Sequence, residues 1–400
     1  MVAKLKRCIY GLKQSLREWY YQIVEYLGPV GFAITAWDRS VLVHESGDLF
    51  LALYMDDITL FEATGELKKQ TIIVLKTEFK VNDMGELSWH LGIQITFTDD
   101  VITLSQTTFI DKIQNCFSMQ DCKPVSMPID ANHELKATDD DDERTDAMAY
   151  QQQFRSLMYW FTGTRPDLSY TIIHLSQFNA SPSTKHLTAA KWVLRYLKQT
   201  KDRHLFDPWN NQLKMTAYMD ASYGNCLDTW RRFSGYIFQI GSATISWRCW
   251  KQRSIATSTC EAEYMGLAMT TKYHLWLKQG IQELLKIDIR NALFCDSNAA
   301  IDVAYDPKLN NWSKHIEVAY PVSRKQIDQG NVSVIYVPLK ENLADICTKG
   351  MTRYVNDHIC SKIFGSKWEG VLKIQKYLHF SLLILYFLKY SPYNKMVFYG

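Results

Sequence analysis

Runs of apolar and polar residues divide the chain into segments that predict strands and helices. In the first third, Leu49–Tyr54 and Ile58–Phe61 are apolar runs separated by a short step that contains Asp56 and Asp57. This pattern predicts a β-hairpin with two adjacent carboxylates at its turn. A helix is predicted over Glu66–Lys80 from its apolar spacing. Further predicted elements are a strand at Leu91–Phe97 and a helix at Phe109–Phe117.

The second half alternates between short strands and helices, which predicts an α/β layout around a mixed sheet. Gly241-Ser242 separates two strand-like runs and favours a hairpin. Pro321 is expected to end or kink the helix in which it falls. The predicted elements in chain order are strands at Met215–Met219, Phe233–Ile240 and Ala243–Trp247, a helix at Ser258–Lys286, a strand at Leu293–Cys295, helices at Ala299–Tyr305 and Lys314–Gln329, a strand at Val332–Val337 and a short helix at Asn342–Thr348.

Between these two parts, residues 150–200 have a mostly helical pattern, with one helix that carries an apolar stripe beside a basic one. The apolar stripe is Leu187, Ala190, Leu194 and Leu197, and the basic stripe is Lys191, Arg195 and Lys198. Two interpretations of the basic stripe stay open. A solvated helix face is favoured on the pattern alone, and a track that binds phosphates is the functional alternative.

Composition and charge are those of an ordinary globular protein. The 400 residues leave room for two or three domains. The net charge of only +3 means that nucleic-acid binding would have to come from local patches. The nine cysteines include no C-x-x-C pair, which argues against a zinc ribbon or a disulfide framework and favours reduced thiols in an intracellular protein.

Three segments could suggest a secretory signal, a metal site or a membrane span, and none of these is expected. The N-terminus lacks the apolar core of a secretory signal, so a cytoplasmic location is expected. The acidic run Asp139–Glu143 lies in a polar stretch, Ile129–Asp146, that is expected to be a solvated linker rather than a metal site. Tyr377–Leu388 is apolar but shorter than the roughly 20 residues that a membrane span needs, so a membrane partner is not expected.

Four acids lie where predicted strands end or where helices border the same sheet. Asp220 and Asp296 end strands, Glu263 lies in the first turns of the long helix, and Asp345 lies in the last short helix. Two-metal hydrolysis of a phosphodiester needs several converging carboxylates, and magnesium prefers such oxygen ligands. On spacing alone, a turn residue, a helix cap and a solvated helix residue remain the stronger interpretations of Asp220, Asp296 and Asp345.

Glu261 and Glu263 compete for one role, because they are about 200° apart on a helix and cannot face the same metal ion. The spacing of Ser258 and Glu261 fits a capping box, which gives Glu261 a structural role. Glu263 shares a face with Leu267, which is expected to point towards the sheet. We therefore predict that Glu263 is the ligand.

Longer motifs extend this interpretation. The second half contains YMDASYGN, RRFSGYIFQIGSATISW, KQRSIATSTCEAEYMGLA, LFCDSNAAI, SKHIEVAY and YVPLKENLADICTKG; the first half contains KLKRCIYGLKQSLREW, LALYMDDITLF, MGELSWHLGIQI and DCKPVSMPI, and LMYWFTGTRPDLSY and AAKWVLRYLKQTKD lie between. Together they resemble the Pol polyprotein of copia-type long-terminal-repeat retrotransposons, over about residues 4–350 and in the expected order. The later motifs resemble its ribonuclease H and the earlier ones its reverse transcriptase.

The resemblance implies an α/β (α+β) fold: a partial reverse-transcriptase palm and thumb/connection, followed by a ribonuclease H-like domain with a mixed five-stranded sheet flanked by helices. The implied domains are a truncated reverse transcriptase with the YMDD hairpin at 1–128, an acidic linker at 129–147, a helical thumb/connection region at 148–204, the ribonuclease H-like domain at 205–350 and an unassigned tail at 351–400.

The resemblance also implies residue roles. Asp220, Glu263, Asp296 and Asp345 match the four ribonuclease H carboxylates, which would hold two Mg²⁺ ions, with Mn²⁺ as a substitute. Asp56 and Asp57 match the paired metal-binding aspartates of the polymerase. Contacts with nucleic acid are assigned from the basic residues themselves rather than from the resemblance: Lys191, Arg195, Lys198, Arg231 and Arg232. The implied partners are an RNA–DNA hybrid, an RNA template, a DNA primer and other products of the polyprotein, and the family location is a virus-like particle with access to the nucleus.

One departure from the family pattern concerns the polymerase. In the family a third aspartate lies upstream of the segment that resembles KLKRCIYGLKQ, at which this chain starts, so we expect the polymerase part to be inactive. In the ribonuclease H part, Leu339 and Lys340 stand where many ribonucleases H carry a histidine, which is expected to affect product release. A second function stays open: a non-catalytic transposon remnant that at most binds nucleic acid.

Overall fold

A computed structural model describes residues 9, 12–62, 65–98, 101–130, 135–139, 141–208, 214–222, 228–305 and 322–365. The predicted tail segment Tyr377–Leu388 and the first part of the predicted helix Lys314–Gln329 lie outside these residues. Contacts between Cα atoms divide the described chain into two units. The first contains the residues up to Gly85 together with Trp276–Asp288, and the second contains Glu86–Leu275 and the described residues from Ile289 onwards.

The first unit is a four-stranded antiparallel sheet with two helices. Its elements are α1 (Lys13–Leu27), β1 (Phe32–Ile34), β2 (Val41–His44), β3 (Leu49–Tyr54), β4 (Asp57–Glu62) and α2 (Glu66–Glu78), and the strand order is β1-β2-β3-β4. Ile23, Leu51 and Leu75 form part of one core in which both helices pack on the sheet. The predicted hairpin is confirmed, and α2 ends two residues earlier than predicted because Phe79 has extended backbone angles.

The last turns of the long helix α7 (Thr259–Leu285) belong to the first unit. The Glu283 carboxylate accepts hydrogen bonds from the backbone N–H groups of Ala36 and Trp37, at 2.7 and 2.9 Å. The indole of Trp37 packs on Trp276 with ring centroids 4.8 Å apart. Gly280 makes this contact possible, since an added Cβ would lie 2.3 Å from the Trp37 ring.

The second unit contains an antiparallel sheet of order β5-β6-β7-β8 and a group of helices. The strands are β5 (Trp89–His90), β6 (Ile93–Phe97), β7 (Val101–Ser105) and β8 (Leu205–Pro208), and the helices are α3 (Thr107–Cys116), α4 (Ala147–Gly163), α5 (Ser169–Ser176) and α6 (Thr184–Gln199). The mostly helical prediction for residues 150–200 is confirmed. In the apolar stripe of α6, Ala190, Leu194 and Leu197 are fully buried.

The second unit also contains a mixed five-stranded sheet of order β11-β10-β9-β12-β13. Its strands are β9 (Lys214–Ala221), β10 (Phe233–Ile240), β11 (Ala243–Lys251), β12 (Arg290–Cys295) and β13 (Val334–Tyr336), bordered by α7, α8 (Asn298–Tyr305), α9 (Val322–Asp328), a 3₁₀ helix at Leu343–Cys347 and α10 (Arg353–Phe364). The first three strands are antiparallel, and β12 runs parallel to both β9 and β13. The predicted mixed sheet with flanking helices is confirmed.

Two glycines allow helices to approach this sheet closely. An added Cβ at Gly235 in β10 would lie 2.4 Å from the Cβ of Cys347, in the 3₁₀ helix. An added Cβ at Gly266 in α7 would lie 2.7 Å from the methyl group of Met219, in β9. Gly235 therefore has no room for a side chain, since Cys347 Cβ and the Arg248 carbonyl both lie close, whereas a side chain at Gly266 would require the Met219 methyl group to move. The two glycines bring the two helices that carry Glu263 and Asp345 onto the sheet. Among the residues described, the structure has no helix of the length and apolarity that a membrane span requires.

Candidate metal centre

Parallel pairing of β9 and β12 places two predicted acids side by side. Met219 pairs with Cys295, so Asp220 and Asp296, which follow them, lie at the same end of neighbouring strands. Asp345 comes from the 3₁₀ helix that packs on this end of the sheet. One carboxylate oxygen from each of these three aspartates lies within 4.8 Å of the others. The three structural alternatives do not hold. Asp220 lies inside a strand, Ser297 rather than Asp296 accepts from the first turn of α8 at the N–H of Ala300, and Asp345 is only 3% exposed.

Glu263 joins the same cluster from the first turns of α7. Its carboxylate, the Asp296 carboxylate and the Cys295 thiol lie within 4.8 Å of one another. The side chain is buried, and its Oε2 atom has no hydrogen-bond partner within the part of the chain that is described. A buried, unpaired carboxylate oxygen is costly unless a cation or a proton satisfies it.

Glu261 is occupied elsewhere. Its Oε2 accepts hydrogen bonds from the backbone N–H and the hydroxyl of Thr257, at 2.6 and 2.7 Å, and its own N–H donates to the Ser258 hydroxyl at 3.1 Å. This is the capping arrangement that the sequence predicts, displaced by one residue because the glutamate reaches Thr257 rather than Ser258. The structure therefore brings Glu263, and not Glu261, to the three aspartates.

Burial and repulsion by neighbouring carboxylates raise the pKa of Glu263, Asp296 and Asp345, which favours their protonated forms. Burial, followed by the charges of Asp220 and Asp296, raises the pKa of Glu263 well above its ordinary value. Burial and the Asp220 charge raise the pKa of Asp296, and the same two causes raise the pKa of Asp345 to about 7. Carboxylates that repel one another in a water-poor site are stabilised by bound cations.

Three residues that the sequence interpretation did not single out support these acids. Asn342 donates through Nδ2 to the carbonyl of Met219 at 2.9 Å, and its Oδ1 caps the 3₁₀ helix at the N–H of Ala344. The Thr348 hydroxyl donates to Oδ2 of Asp220. Lys349 places its Nζ 2.9 Å from Oδ1 of Asp345. Their spacing in NLADICTK could have identified two of them. Asn342 stands where an N-cap residue is expected, and Lys349 follows Asp345 by four positions.

The donor set fits divalent magnesium. Several hard carboxylate oxygens converge within a few ångströms, as two neighbouring ions require. Two of these oxygens, Glu263 Oε2 and Asp345 Oδ1, lack a hydrogen bond within the described residues. Cys295 is an unsuitable ligand here, because burial raises the pKa of its thiol and a protonated sulfur does not bind a hard cation.

The raised pKa of Asp345 predicts how stability depends on pH without divalent ions. The folded protein keeps a proton on Asp345 up to about pH 7, whereas the unfolded chain loses it near pH 4. The stabilisation that this proton gives therefore declines as pH rises above about 4 and is lost once pH has passed 7. Between pH 6.5 and 8 the free energy of unfolding in a chelator should fall by about 1 kcal/mol. Thermal or urea unfolding measures this change. Asp345→Asn should reduce this dependence, with the remainder contributed by Glu263 and Asp296, and saturating Mg²⁺ should reverse its sign. An unchanged slope in the mutant would contradict the prediction.

The paired aspartates Asp56 and Asp57 lie apart from this cluster, in the first unit. Both are exposed, Asp56 in the turn and Asp57 as the first residue of β4. Met55 precedes them with a positive φ of 50°, and its carbonyl accepts a hydrogen bond from Trp19 Nε1 at 3.0 Å. Within the described residues no third His, Cys, Asp or Glu joins them to form a metal-holding group.

The basic residues predicted to contact nucleic acid differ in their surroundings. On α6, Lys191 is exposed, but Arg195 donates to the Lys123 carbonyl at 2.6 Å and Lys198 to the Cys122 carbonyl at 2.9 Å. Those two side chains therefore hold the segment that follows α3 against α6. The α6 stripe is thus largely structural in its contacts.

At the other predicted contact, Arg231 is exposed whereas Arg232 is 5% exposed. Two exposed residues that the sequence interpretation missed lie beside Arg231. Trp230 is 66% exposed with φ 55°, and Arg253 follows Gln252, whose N–H donates to the Arg232 carbonyl at 2.8 Å. We call Trp230, Arg231 and Arg253 the rim patch. It borders the same strand ends as Asp220, since Ser222 donates to the Phe233 carbonyl.

Comparison with known proteins agrees with the motifs. The family model for reverse transcriptase (RNA-dependent DNA polymerase) matches residues 1–131. The retrovirus-related Pol polyprotein from transposon RE1 of Arabidopsis thaliana is 33% identical over 365 residues, covering 90% of this chain and 25% of the relative. That from transposon TNT 1-94 of Nicotiana tabacum is 30% identical over 375 residues, covering 91% of this chain and 28% of the relative.

Among solved structures, the N-terminal RNase H domain of a Mycobacterium tuberculosis protein, fused to maltose binding protein, is 14% identical. The match covers 38% of this chain and 98% of that chain, with a TM-score of 0.24. The chain spans about a quarter of the length of the two Pol relatives. Their similarity nevertheless extends over nine-tenths of this chain, from the YMDD hairpin to the carboxylate cluster. The chain belongs to the family of retrovirus-related Pol polyproteins of transposons, as its motifs predict.

Proposed function

We propose that the second unit hydrolyses the RNA strand of RNA–DNA hybrids with two divalent metal ions, as a ribonuclease H. The observation that carries this proposal is the convergence of Asp220, Glu263, Asp296 and Asp345 at one end of the five-stranded sheet, with a buried Glu263 oxygen unpaired within the described residues. An acidic cluster of this kind, on a member of a Pol family, suits phosphodiester hydrolysis better than structural support. We assign it to a domain at 205–350.

The chain's own residues would bind and orient the reacting groups. The four carboxylates would hold the ions, while the Thr348 hydroxyl fixes the orientation of Asp220. Bound magnesium would supply an activated water and stabilise the leaving oxygen. The water oxygen bonds to phosphorus, the bond from phosphorus to the 3′ oxygen breaks, and that oxygen takes a proton, which leaves a 3′-hydroxyl and a 5′-phosphate.

The proposal is tested with a labelled RNA annealed to DNA, incubated with the purified chain. Cleavage of the RNA strand should require Mg²⁺ or Mn²⁺, fall to background in a chelator and return when metal is restored, because the carboxylates alone supply no activated water. Duplex DNA of the same sequence is the matched control and should stay intact, since it has no 2′-hydroxyl groups to recognise. Cleavage that persists in the chelator would overturn the proposal, and binding without cleavage would favour the non-catalytic remnant.

The rim patch is proposed to hold the hybrid. Two exposed arginines attract phosphates, and an exposed indole offers a face for stacking on a sugar or base. Arg231→Ala combined with Arg253→Ala should weaken hybrid binding about tenfold and lower the slope of log K against log salt by about 1–2. Fluorescence anisotropy at several salt concentrations measures both. Lys191→Ala tests the alternative phosphate track on α6. A larger loss of hybrid affinity in this variant than in the double variant would assign hybrid binding to α6 instead of the rim patch.

The reverse-transcriptase family model matches residues 1–131, which include the first unit up to Gly85 and the beginning of the second unit. Metal binding by Asp56 and Asp57, contact with an RNA template and a DNA primer, and assembly with other products of a polyprotein remain proposals. The exposed position of both aspartates at the tip of a hairpin is compatible with a ligand approaching from solvent.

A further inference from the structure

The carboxylate cluster already contains a cation of its own. Lys349 is half-buried, and its Nζ lies 2.9 Å from Oδ1 of Asp345 and 3.8 Å from Oδ2 of Asp220. It therefore bridges the two acids that approach the sheet end from opposite elements, β9 and the 3₁₀ helix. A lysine held between two carboxylates occupies space in which a divalent ion would otherwise bind.

The backbone holds Lys349 in this position. The N–H groups of Thr348 and Lys349 both donate to the Asp345 carbonyl, at 3.1 and 3.2 Å, so the lysine follows Asp345 in one tight turn. That turn is fixed to the sheet by the Cys347 thiol, which donates to the Tyr236 carbonyl at 3.7 Å, and by the absence of a side chain at Gly235. With the backbone held, the ammonium group of Lys349 can change position only by rotation about the bonds of its side chain.

The cluster has two sides with different charge balance. On the side formed by Asp220, Asp296 and Asp345, Lys349 is in ion-pair contact with Asp220 and Asp345. Asp345 Oδ1 and Glu263 Oε2 both lack a hydrogen-bond partner in the described chain, but only the Asp345 oxygen has the ammonium group beside it. Two positive groups within about 4 Å repel strongly in such a poorly hydrated place. The first side can therefore accept a divalent ion only if the ammonium group leaves.

We propose that Lys349 is a resident cation that must swing out before a divalent ion binds between Asp220 and Asp345, so the two ions load in order. Glu263 and Asp296 would hold the first ion. Asp220 and Asp345 would hold the second more weakly, because the ammonium group of Lys349 must first move away from them. The inference rests on the proposed two-ion site. It assigns Lys349 a positioning role in which it stabilises the metal-free cluster and sets the concentration of metal at which the site is complete.

Titration of the purified chain with Mn²⁺, followed by calorimetry and by the paramagnetic signal of free manganese, tests this order. Wild type should show one tighter and one weaker site. Lys349→Met keeps the stem but removes the charge, and should tighten the weaker site about tenfold or more while leaving the other unchanged. Lys349→Arg keeps the charge and is the matched control. Equal weaker-site constants in wild type and Lys349→Met would overturn the proposal.

A measurement on the unaltered protein covers the case in which the methionine variant fails to fold. Reductive methylation followed by mass spectrometry reports how accessible the Lys349 amine is. Modification of Lys349 should rise several-fold as the second Mn²⁺ binds, because the displaced ammonium enters solvent. Unchanged or reduced modification would overturn the proposal.

The outcomes also separate this inference from the proposed nuclease. Two ordered manganese sites in a chain that cleaves no hybrid would leave the role of Lys349 standing and remove the ribonuclease H proposal. Cleavage of the hybrid by a wild type whose two sites bind manganese equally tightly would support the ribonuclease H proposal and remove the role of Lys349. Failure of wild type and both variants to bind any divalent ion would remove both.

Discussion

Glu263→Gln is expected to lower the rate of metal-dependent hybrid cleavage by at least about 100-fold, the range seen when even outer partners of a metal site are removed. The amide keeps the shape of the side chain but loses the negative charge and half of the oxygen ligands. Because Glu263 is buried against Asp220 and Asp296, removing its charge should also stabilise the metal-free fold. Asp296→Asn is expected to cause a loss of cleavage of similar size.

Glu261→Gln is the matched control, two residues away on the same helix. Its carboxylate caps α7 at Thr257 and does not join the cluster. Cleavage should stay within a few-fold of wild type, while the helix cap weakens by about 1 kcal/mol. Steady-state cleavage rates and urea unfolding of the two variants separate chemistry from stability. A greater loss of cleavage in Glu261→Gln than in Glu263→Gln would contradict the assignment of the metal ligand.

The sequence predicted that Glu263, rather than Glu261, faces the other acids, because the distinction depends on local helix geometry. Two local features show this. Ser258 and Glu261 have the spacing of a capping box, and Glu263, two residues further on, lies on another face of the helix. The order of strands and helices also predicted a mixed sheet, and the resemblance to a ribonuclease H implied its five strands. Spacing alone did not predict the convergence of the four acids, which the resemblance implied. It depends on parallel pairing of Met219 in β9 with Cys295 in β12, distant in the chain, and on close contacts between elements.

Features set by distant contacts were missed for the same reason. β8 is a four-residue strand that pairs with β7, about a hundred positions earlier, and neither strand has a strong local pattern. The docking of Trp37 on the end of α7 needs Gly280 and Glu283, which are unremarkable as single letters. In the sequence, Lys349 was noted only as part of a family motif. Its position beside Asp220, which is distant in the chain, appears only in the fold.

A second motif that was used only as a mark of the family, TRPDLSY, turns out to contain a buried ionic network. The Arg165 guanidinium binds the Asp167 carboxylate through Nε at 2.9 Å and through Nη2 at 2.7 Å, and neither side chain is more than 1% exposed. The Tyr196 hydroxyl donates to the same carboxylate at 2.7 Å. Arg203, which contacts Cys360 of α10, also lies 3.4 Å from it. The network therefore joins α6 to the segments on both sides.

Asp167→Ala is expected to lower the free energy of unfolding of the second unit by about 3–5 kcal/mol, because it leaves the Arg165 charge buried without its partner. Asp357→Ala is the matched control: Asp357 pairs with Arg203 at 3.5 Å but is about half exposed, so its loss should cost less than about 1 kcal/mol. Urea unfolding followed by far-UV circular dichroism compares the two. Replacing both members of the buried pair, as in Arg165→Met with Asp167→Leu, should recover part of the loss, since it removes the uncompensated charge. Equal stability of Asp167→Ala and Asp357→Ala would show that this network does not hold the helices together.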